Sequence, residues 1–345
     1  MEKLQERNLG LDVLRSLAIL LVLVRHGQFL LEGHQKIKVV SFLVDALDGV
    51  VLFFVLSGFL IGSNILKMNM FSWEHVKNFL VRRWLRTLPA YYCMLLLLIA
   101  LTSEPIASNW TFFVFLQNVF TENLLFFQES WSLSVEEWYY FLFPLLVVIC
   151  VLFIPKKGSY FLVTSLLLLI PFFFIFNYSG AAHLINKAVV YRLSNIAWGM
   201  MGAGILYYFP KFWTNTKRYA TMLSFLLLAY YLINPHQIFQ AESLTSSTFL
   251  SVVVLFSLPF WLSLNGKGFS KMKIVFQKIS EWSYALYLVN LSLVQGIVLK
   301  HFEVTTTQDY CLFWIFSLLF ALVLHYAIEK PILRWRNDHF RIDVE

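Results

Sequence analysis

A histidine, a pair of carboxylates and three arginines lie inside or at the ends of long apolar runs, where a charge costs about 2.5–3.5 kcal/mol on insertion scales. His26 follows Arg25 near the end of the first run. A neutral imidazole there can take a proton from a reacting hydroxyl. A hydrogen-bonded packing histidine would look the same. Arg15 precedes His26 by eleven positions. At about 100° per residue the two fall within roughly 20° of one helix face, about 16 Å apart along the axis. A cation near one end and an imidazole deeper in suit a long amphipathic ligand. Arg83 and Arg86 stand at i, i+3 and share a face. Two guanidiniums at a helix end form a fork for phosphate, and equally an anchor at a membrane surface. Glu136 and Glu137 differ by about 100° on a helix, so one of them faces inward. A carboxylate beside an imidazole would fix its tautomer and raise its basicity; the alternative is an interfacial cap. Ser57-Gly58 has no base at useful spacing and reads as a close-packing pair. Glu329-Lys330-Pro331 reads as a structural cap.

These residues need elements to hold them. The chain has 345 residues, 59% hydrophobic and 14% charged, with 35 phenylalanines. A soluble domain carries about 25% charge, so an ordinary soluble fold is excluded and a polytopic membrane protein is expected. A bilayer core takes about 20 apolar residues per helix. By that measure the expected fold is an all-α transmembrane bundle of about ten spans, near 11–31, 45–66, 80–102, 131–154, 158–178, 190–209, 219–234, 247–264, 280–299 and 310–328. The stretch 110–128 is apolar but broken by Gln117, Asn118, Glu122 and Asn123. It is expected to be re-entrant or interfacial, a surface loop being the alternative.

The net charge of +7 invites a nucleic-acid reading, but the cations fall in short groups between apolar runs. With both termini cytoplasmic and 110–128 not spanning, the outer side keeps only Lys36, Lys38, Lys187, Arg192 and Lys300, Arg15 and Arg25 lie within the first span, and the inner loops take the rest. That is the positive-inside pattern, expected of a protein in the cytoplasmic membrane. Cys93, Cys150 and Cys311 have no metal-ligand spacing and are expected to be buried thiols.

Taken in order, the motifs resemble the membrane-bound acyltransferase family 3. Leu11-Asp12-Val13-Leu14-Arg15 with His26 matches its opening. Phe53 to Ile61, around Ser57, matches FFxLSGFLI. Arg83-Trp84-Leu85-Arg86 with Pro89 matches RxxR, and Trp131 to Glu136 matches WSLxVE. Ser283-Tyr284-Ala285-Leu286-Tyr287-Leu288 matches SYxLYL, and Glu329-Lys330-Pro331 matches the ErP ending. Two positions depart. Val51 stands where the family often has Asp, with Asp48 one turn earlier, and Asn290 stands where many relatives have His. The resemblance implies acyl transfer, usually acetyl, from cytoplasmic acyl-CoA to a hydroxyl of a cell-envelope glycan or lipid-linked sugar, with no metal. It assigns His26 and Glu136 to catalysis and Arg15, Arg83 and Arg86 to the acyl-CoA. Asp12, Asp48, Ser57, Trp131, Tyr284 and Asn290 support them. It also implies a single domain over 1–345, with no fused extracytoplasmic esterase-like domain expected. A transporter or exporter of an envelope precursor shares the spans and buried charges, but no inverted repeat supports it. A scaffold for glycan synthesis is the third class.

Overall fold

Apolar runs cannot leave backbone N–H and C=O groups bare in lipid, and the helix satisfies them within one segment. The computed structural model describes residues 7–28, 30, 38–67, 73–120, 126–177, 187–234, 244–264, 270–302 and 307–340. Among these residues every regular element is helical. The helices are α1 (Leu9–Gln28), α2 (Lys38–Ala46), α3 (Gly49–Lys67), α4 (Trp73–Thr102), α5 (Trp110–Phe113), α6 (Ser130–Val151) and α7 (Lys156–Asn177). They continue with α8 (Val189–Tyr208), α9 (Pro210–Ile233), α10 (Leu244–Ser263), α11 (Ser270–Val289), α12 (Thr307–Leu324) and α13 (Lys330–His339). Wider π-helical turns, Asn290–Val298 and His325–Glu329, follow α11 and α12.

Six described segments are long and apolar enough to cross a bilayer: Phe42–Lys67, Trp73–Thr102, Ser130–Val151, Lys156–Phe173, Thr245–Ser263 and Tyr310–His339. Where they are described, the ten expected stretches lie largely on helix, but the count supported is six. In three of the four helices left out the shortfall follows the charges, and in the fourth, α8, Arg192, Ser194 and Asn195 break the apolar run. Asp12, Arg15 and Arg25 sit within α1, Lys211, Lys217 and Arg218 open α9, and Lys271, Lys273, Lys278 and Glu281 open α11. Exposed helix faces carry Leu169, Phe173, Leu226 and Ile315, as lipid contact requires. Cys311 also lies exposed and Cys93 and Cys150 are half-buried, correcting the expectation of buried thiols. That expectation treated apolar surroundings as core, and in a bilayer they are also surface.

The chain forms two compact units. The first comprises residues 1–25, 37–63 and 195–283. Its helices meet backbone to backbone at glycines. A Cβ on Gly58 of α3 would lie 2.0 Å from the Ile196 carbonyl oxygen of α8, and one on Gly199 would lie 2.0 Å from that of Val55. The close-packing reading of Ser57-Gly58 is thereby met. Gly58→Ala is expected to lower stability by about 1–3 kcal/mol, read by thermal unfolding in detergent. Gly202→Ala serves as control, since the nearest atoms its Cβ would meet are side-chain ends, of Leu255, Leu258 and Phe59; equal effects of the two would refute the backbone contact. In the same unit Asp12 accepts from Arg7 Nε at 2.7 Å and from Ser280 Oγ at 2.8 Å, and Ser16 Oγ donates to the Phe276 carbonyl. These bonds tie α1 to α11. Asp48 accepts from the Val50 N–H at 2.8 Å and so caps α3.

The second unit comprises residues 26–36, 64–194 and 284–345. Within it, the stretch from Trp110 to Gln128 is described to residue 120 and from 126, so Glu122 and Asn123 lie outside the described residues. α5 is followed by irregular backbone with φ 58° at Phe115. The carbonyls of Phe112, Phe113 and Phe115 accept from Tyr91, Tyr92 and Trp138, at 2.8, 2.8 and 2.9 Å. Gln117 donates to Ser134 and Ser130 of α6, and Asn118 to the Trp131 and Lys187 carbonyls. Gln117 and Asn118, two of the residues that break the apolar run, thus fasten it to α6.

Candidate active site

His26 stands on the last turn of α1, where Gly27 lets the backbone approach Tyr310 and Phe313 of α12. Its Nδ1 lies 2.5 Å from Oδ1 of Asn290. Asn290 is fully buried and opens the first π-helical turn. Its amide nitrogen donates to the carbonyls of Leu286 at 2.9 Å and Tyr287 at 2.8 Å. Carbonyls only accept, so both amide hydrogens are committed and the oxygen must face the imidazole. An oxygen facing Nδ1 places the proton there, and Nε2 then holds the lone pair. Local sequence explains the geometry: π-turns depart from regular helical pairing and recur at functional sites, and here an asparagine supplies donors at the switch.

A buried carboxylate adjoins that turn. Glu129, just before α6, accepts from the Ser292 N–H at 3.1 and 3.3 Å and from its hydroxyl. Burial pushes its carboxyl up to about 7, opposed by the Ser292 bonds. Its backbone carbonyl accepts from the Tyr287 hydroxyl at 3.1 Å.

A second cluster joins α4 to α6. Arg83 donates to the Tyr140 hydroxyl, and its guanidinium lies 4.3 Å from that ring's centroid. Tyr140 in turn donates to Glu136 at 2.6 Å. Thr87 donates to Glu137 at 2.9 Å, and Tyr284 donates to the Thr87 carbonyl at 2.8 Å. Arg86, one turn on, has an exposed side chain in the field of Arg83, Glu329 and Glu136. From α13, Arg336 donates to the Arg82 carbonyl at 3.4 Å, in the field of Arg82, Arg86 and Arg83. Nearby on the second π-turn, buried His325 and Glu329 pair at 2.7 Å. Among the described residues no three His, Cys, Asp or Glu converge as a metal site would require.

Of the residues singled out in the sequence, His26, Arg83, Arg86, Trp131, Glu136, Tyr284 and Asn290 lie in the second unit. Asp12, Arg15, Asp48 and Ser57 lie in the first. His26 meets Asn290, Arg83 meets Tyr140 and Glu136, and Trp131 has the buried Arg192 guanidinium 5.5 Å from its ring. The bond to His26 Nδ1 comes from Asn290, while Glu136 takes its bond from Tyr140. Sequence reasoning missed Glu129, Tyr140, Ser292, Arg192, Arg336 and the His325–Glu329 pair. The last, at i, i+4, was visible in spacing.

Fold and site together describe an all-helical membrane protein with an amide-oriented imidazole and a basic cluster on α4. The acyltransferase-3 family model, described as an acyltransferase domain, matches residues 8–330, and the chain belongs to that family. It is 27% identical over 380 residues to a protein of Staphylococcus aureus (strain MRSA252) named provisionally as an O-acetyltransferase, covering 96% of this chain and 59% of that one. The counterpart in strain COL matches with the same identity and coverage. Peptidoglycan O-acetyltransferase OatA of Listeria monocytogenes serovar 1/2a (strain ATCC BAA-679 / EGD-e) is 29% identical over 171 residues, 41% of this chain and 24% of that protein. The chain spans about three-fifths of the length of the Staphylococcus relatives. No solved structure matches. Family membership and the six apolar helices make this an integral membrane protein.

Proposed function

We propose that the protein transfers an acetyl group from cytoplasmic acetyl-CoA to a hydroxyl of a cell-envelope glycan, as one domain of about ten spans in the cytoplasmic membrane with both termini inside. The observation that carries this reading is the His26–Asn290 pair, which leaves Nε2 basic. Nε2 takes the proton of the acceptor hydroxyl, and that oxygen bonds to the thioester carbonyl carbon. The carbon–sulfur bond then breaks, and the CoA thiolate receives the proton held on Nε2. The route through a covalent acyl-imidazole uses the same nitrogen. Arg86, exposed beside Arg83, takes the phosphates of the donor, and Arg83 shapes the field around it. Arg15 is assigned to the donor on sequence alone. Glu136 acts on Arg83 through Tyr140. The name of the Listeria relative supports a peptidoglycan hydroxyl as acceptor. Trp131, Tyr284, Asp12, Asp48 and Ser57 support the helices that carry these groups.

The test is purified protein in lipid nanodiscs with acetyl-labelled acetyl-CoA and soluble peptidoglycan fragments. Label esterified to the glycan is expected; label left entirely on CoA would refute the reading. Asn290→Ala removes the acceptor at Nδ1 and lets the imidazole take either tautomer. A fall in kcat of about 10–100-fold is expected, with KM for acetyl-CoA held, and an unchanged kcat would show that Asn290 does not orient the base.

A further inference from the structure

The turn that carries Asn290 is held from the start of α6. Glu129 grips the chain on both sides of Asn290. Its carboxylate takes the N–H and the hydroxyl of Ser292, two positions beyond. Its carbonyl takes the hydroxyl of Tyr287, three positions before, and Tyr287 also supplies a carbonyl to the Asn290 amide. Ser132 of α6 donates to the Tyr287 hydroxyl at 2.7 Å, and the Gln128 N–H donates to Ser292 Oγ at 3.2 Å. The start of α6 and the first π-turn are therefore joined by bonds that bracket Asn290.

Glu129 is 1% exposed. Packing alone would be served at lower cost by an apolar side chain, because a buried carboxylate forfeits several kcal/mol of hydration. A carboxylate offers what an apolar or amide group lacks: two equivalent oxygens that meet two donors of one residue at once.

We propose that Glu129 is a positioning residue for His26: by clasping Ser292 and Tyr287 it fixes the turn that presents the Asn290 oxygen to Nδ1. The inference rests on His26 being the base. Glu129 has no contact with the reacting atoms in this scheme. It acts through Asn290, so its effect must vanish when Asn290 is gone.

Kinetics on the nanodisc-embedded full chain, with acetyl-CoA and peptidoglycan fragments as probes, separate the possibilities. Glu129→Gln and Ser292→Ala are expected to lower kcat about tenfold or more while KM for acetyl-CoA stays within about twofold. Ser292→Thr keeps the hydroxyl and is expected to retain activity. Glu129→Gln added to Asn290→Ala is expected to cost nothing further, because the two act in series. Additive losses, or an unchanged kcat in Glu129→Gln, overturn the inference. If Glu129→Gln does not insert, the Ser292→Ala and Ser292→Thr pair decides: equal rates overturn the proposal and a loss restored by Thr supports it. His26→Ala, run alongside, tells the two failures apart. An active His26→Ala protein refutes the base itself, whereas an inactive one beside a fully active Glu129→Gln refutes only the positioning role.

Discussion

His26→Ala is expected to insert in the membrane at normal levels and to lose acetyl transfer by about 10²–10⁴-fold, the range a positioned general base contributes. Folding is expected to survive because the side chain is half-buried at the end of α1 and its partner Asn290 keeps both amide hydrogens on its own helix. The loss should fall on kcat. In the proposed scheme the donor's phosphates meet arginines rather than the imidazole, so binding of acetyl-CoA, followed by equilibrium dialysis of the labelled compound, is expected to stay close to that of the unaltered protein. A His26→Ala protein with normal expression and full transfer would exclude both the direct and the acyl-imidazole routes.

The two arginines of the RxxR motif are expected to part company when each is changed to glutamine. Arg83 is half-buried and bonded: Tyr140 takes its hydrogen bond, and Glu136 and Glu137 act on it. Without it two carboxylates on α6 lose their cation, and a loss of stability of about 2–4 kcal/mol is expected. Arg86 is exposed and can give up its charge without collapsing a network. Arg86→Gln is therefore expected to keep the unfolding temperature, while KM for acetyl-CoA rises about tenfold or more through the lost charge-assisted bonds to phosphate. Arg86→Lys, which keeps charge but not the planar fork, is expected to fall between. Thermal unfolding in detergent and KM for acetyl-CoA check the contrast. Equal unfolding temperatures for Arg83→Gln and the unaltered protein, or an unmoved KM in Arg86→Gln, would count against this division of labour.

Which parts of the site were legible follows from distance along the chain. Arg83 and Arg86 are one helical turn apart, so spacing reveals them; Glu136 and Tyr140 are as close, but nothing in the spacing singles out that tyrosine. His325 and Glu329 have the same separation and were passed over because the Glu-Lys-Pro ending reads so readily as a cap. Asn290 lies 264 positions from His26 and Ser292 lies 163 from Glu129. No periodicity relates such residues, and only the fold brings the amide of Asn290 to His26. The helices themselves were visible as apolar runs. Their number was not, because the charges that do chemistry or tie helices together also dilute the apolar signal of α1, α9 and α11. The broken stretch after Trp110 shows the same effect: Gln117 and Asn118 read as interruptions and turn out to be fastenings.

The reciprocal contact of Gly58 with Ile196 and Gly199 with Val55 has a mechanical meaning. Side chains between helices act as a compliant layer that can repack when one helix slides. At this crossing there is no such layer, since backbone rests on backbone. Sliding α3 along α8 would move Gly58 off the Ile196 carbonyl, a place that a residue with a Cβ cannot take. The crossing is a fixed pivot, and any motion of the first unit's helices during turnover has to turn about it or bypass it.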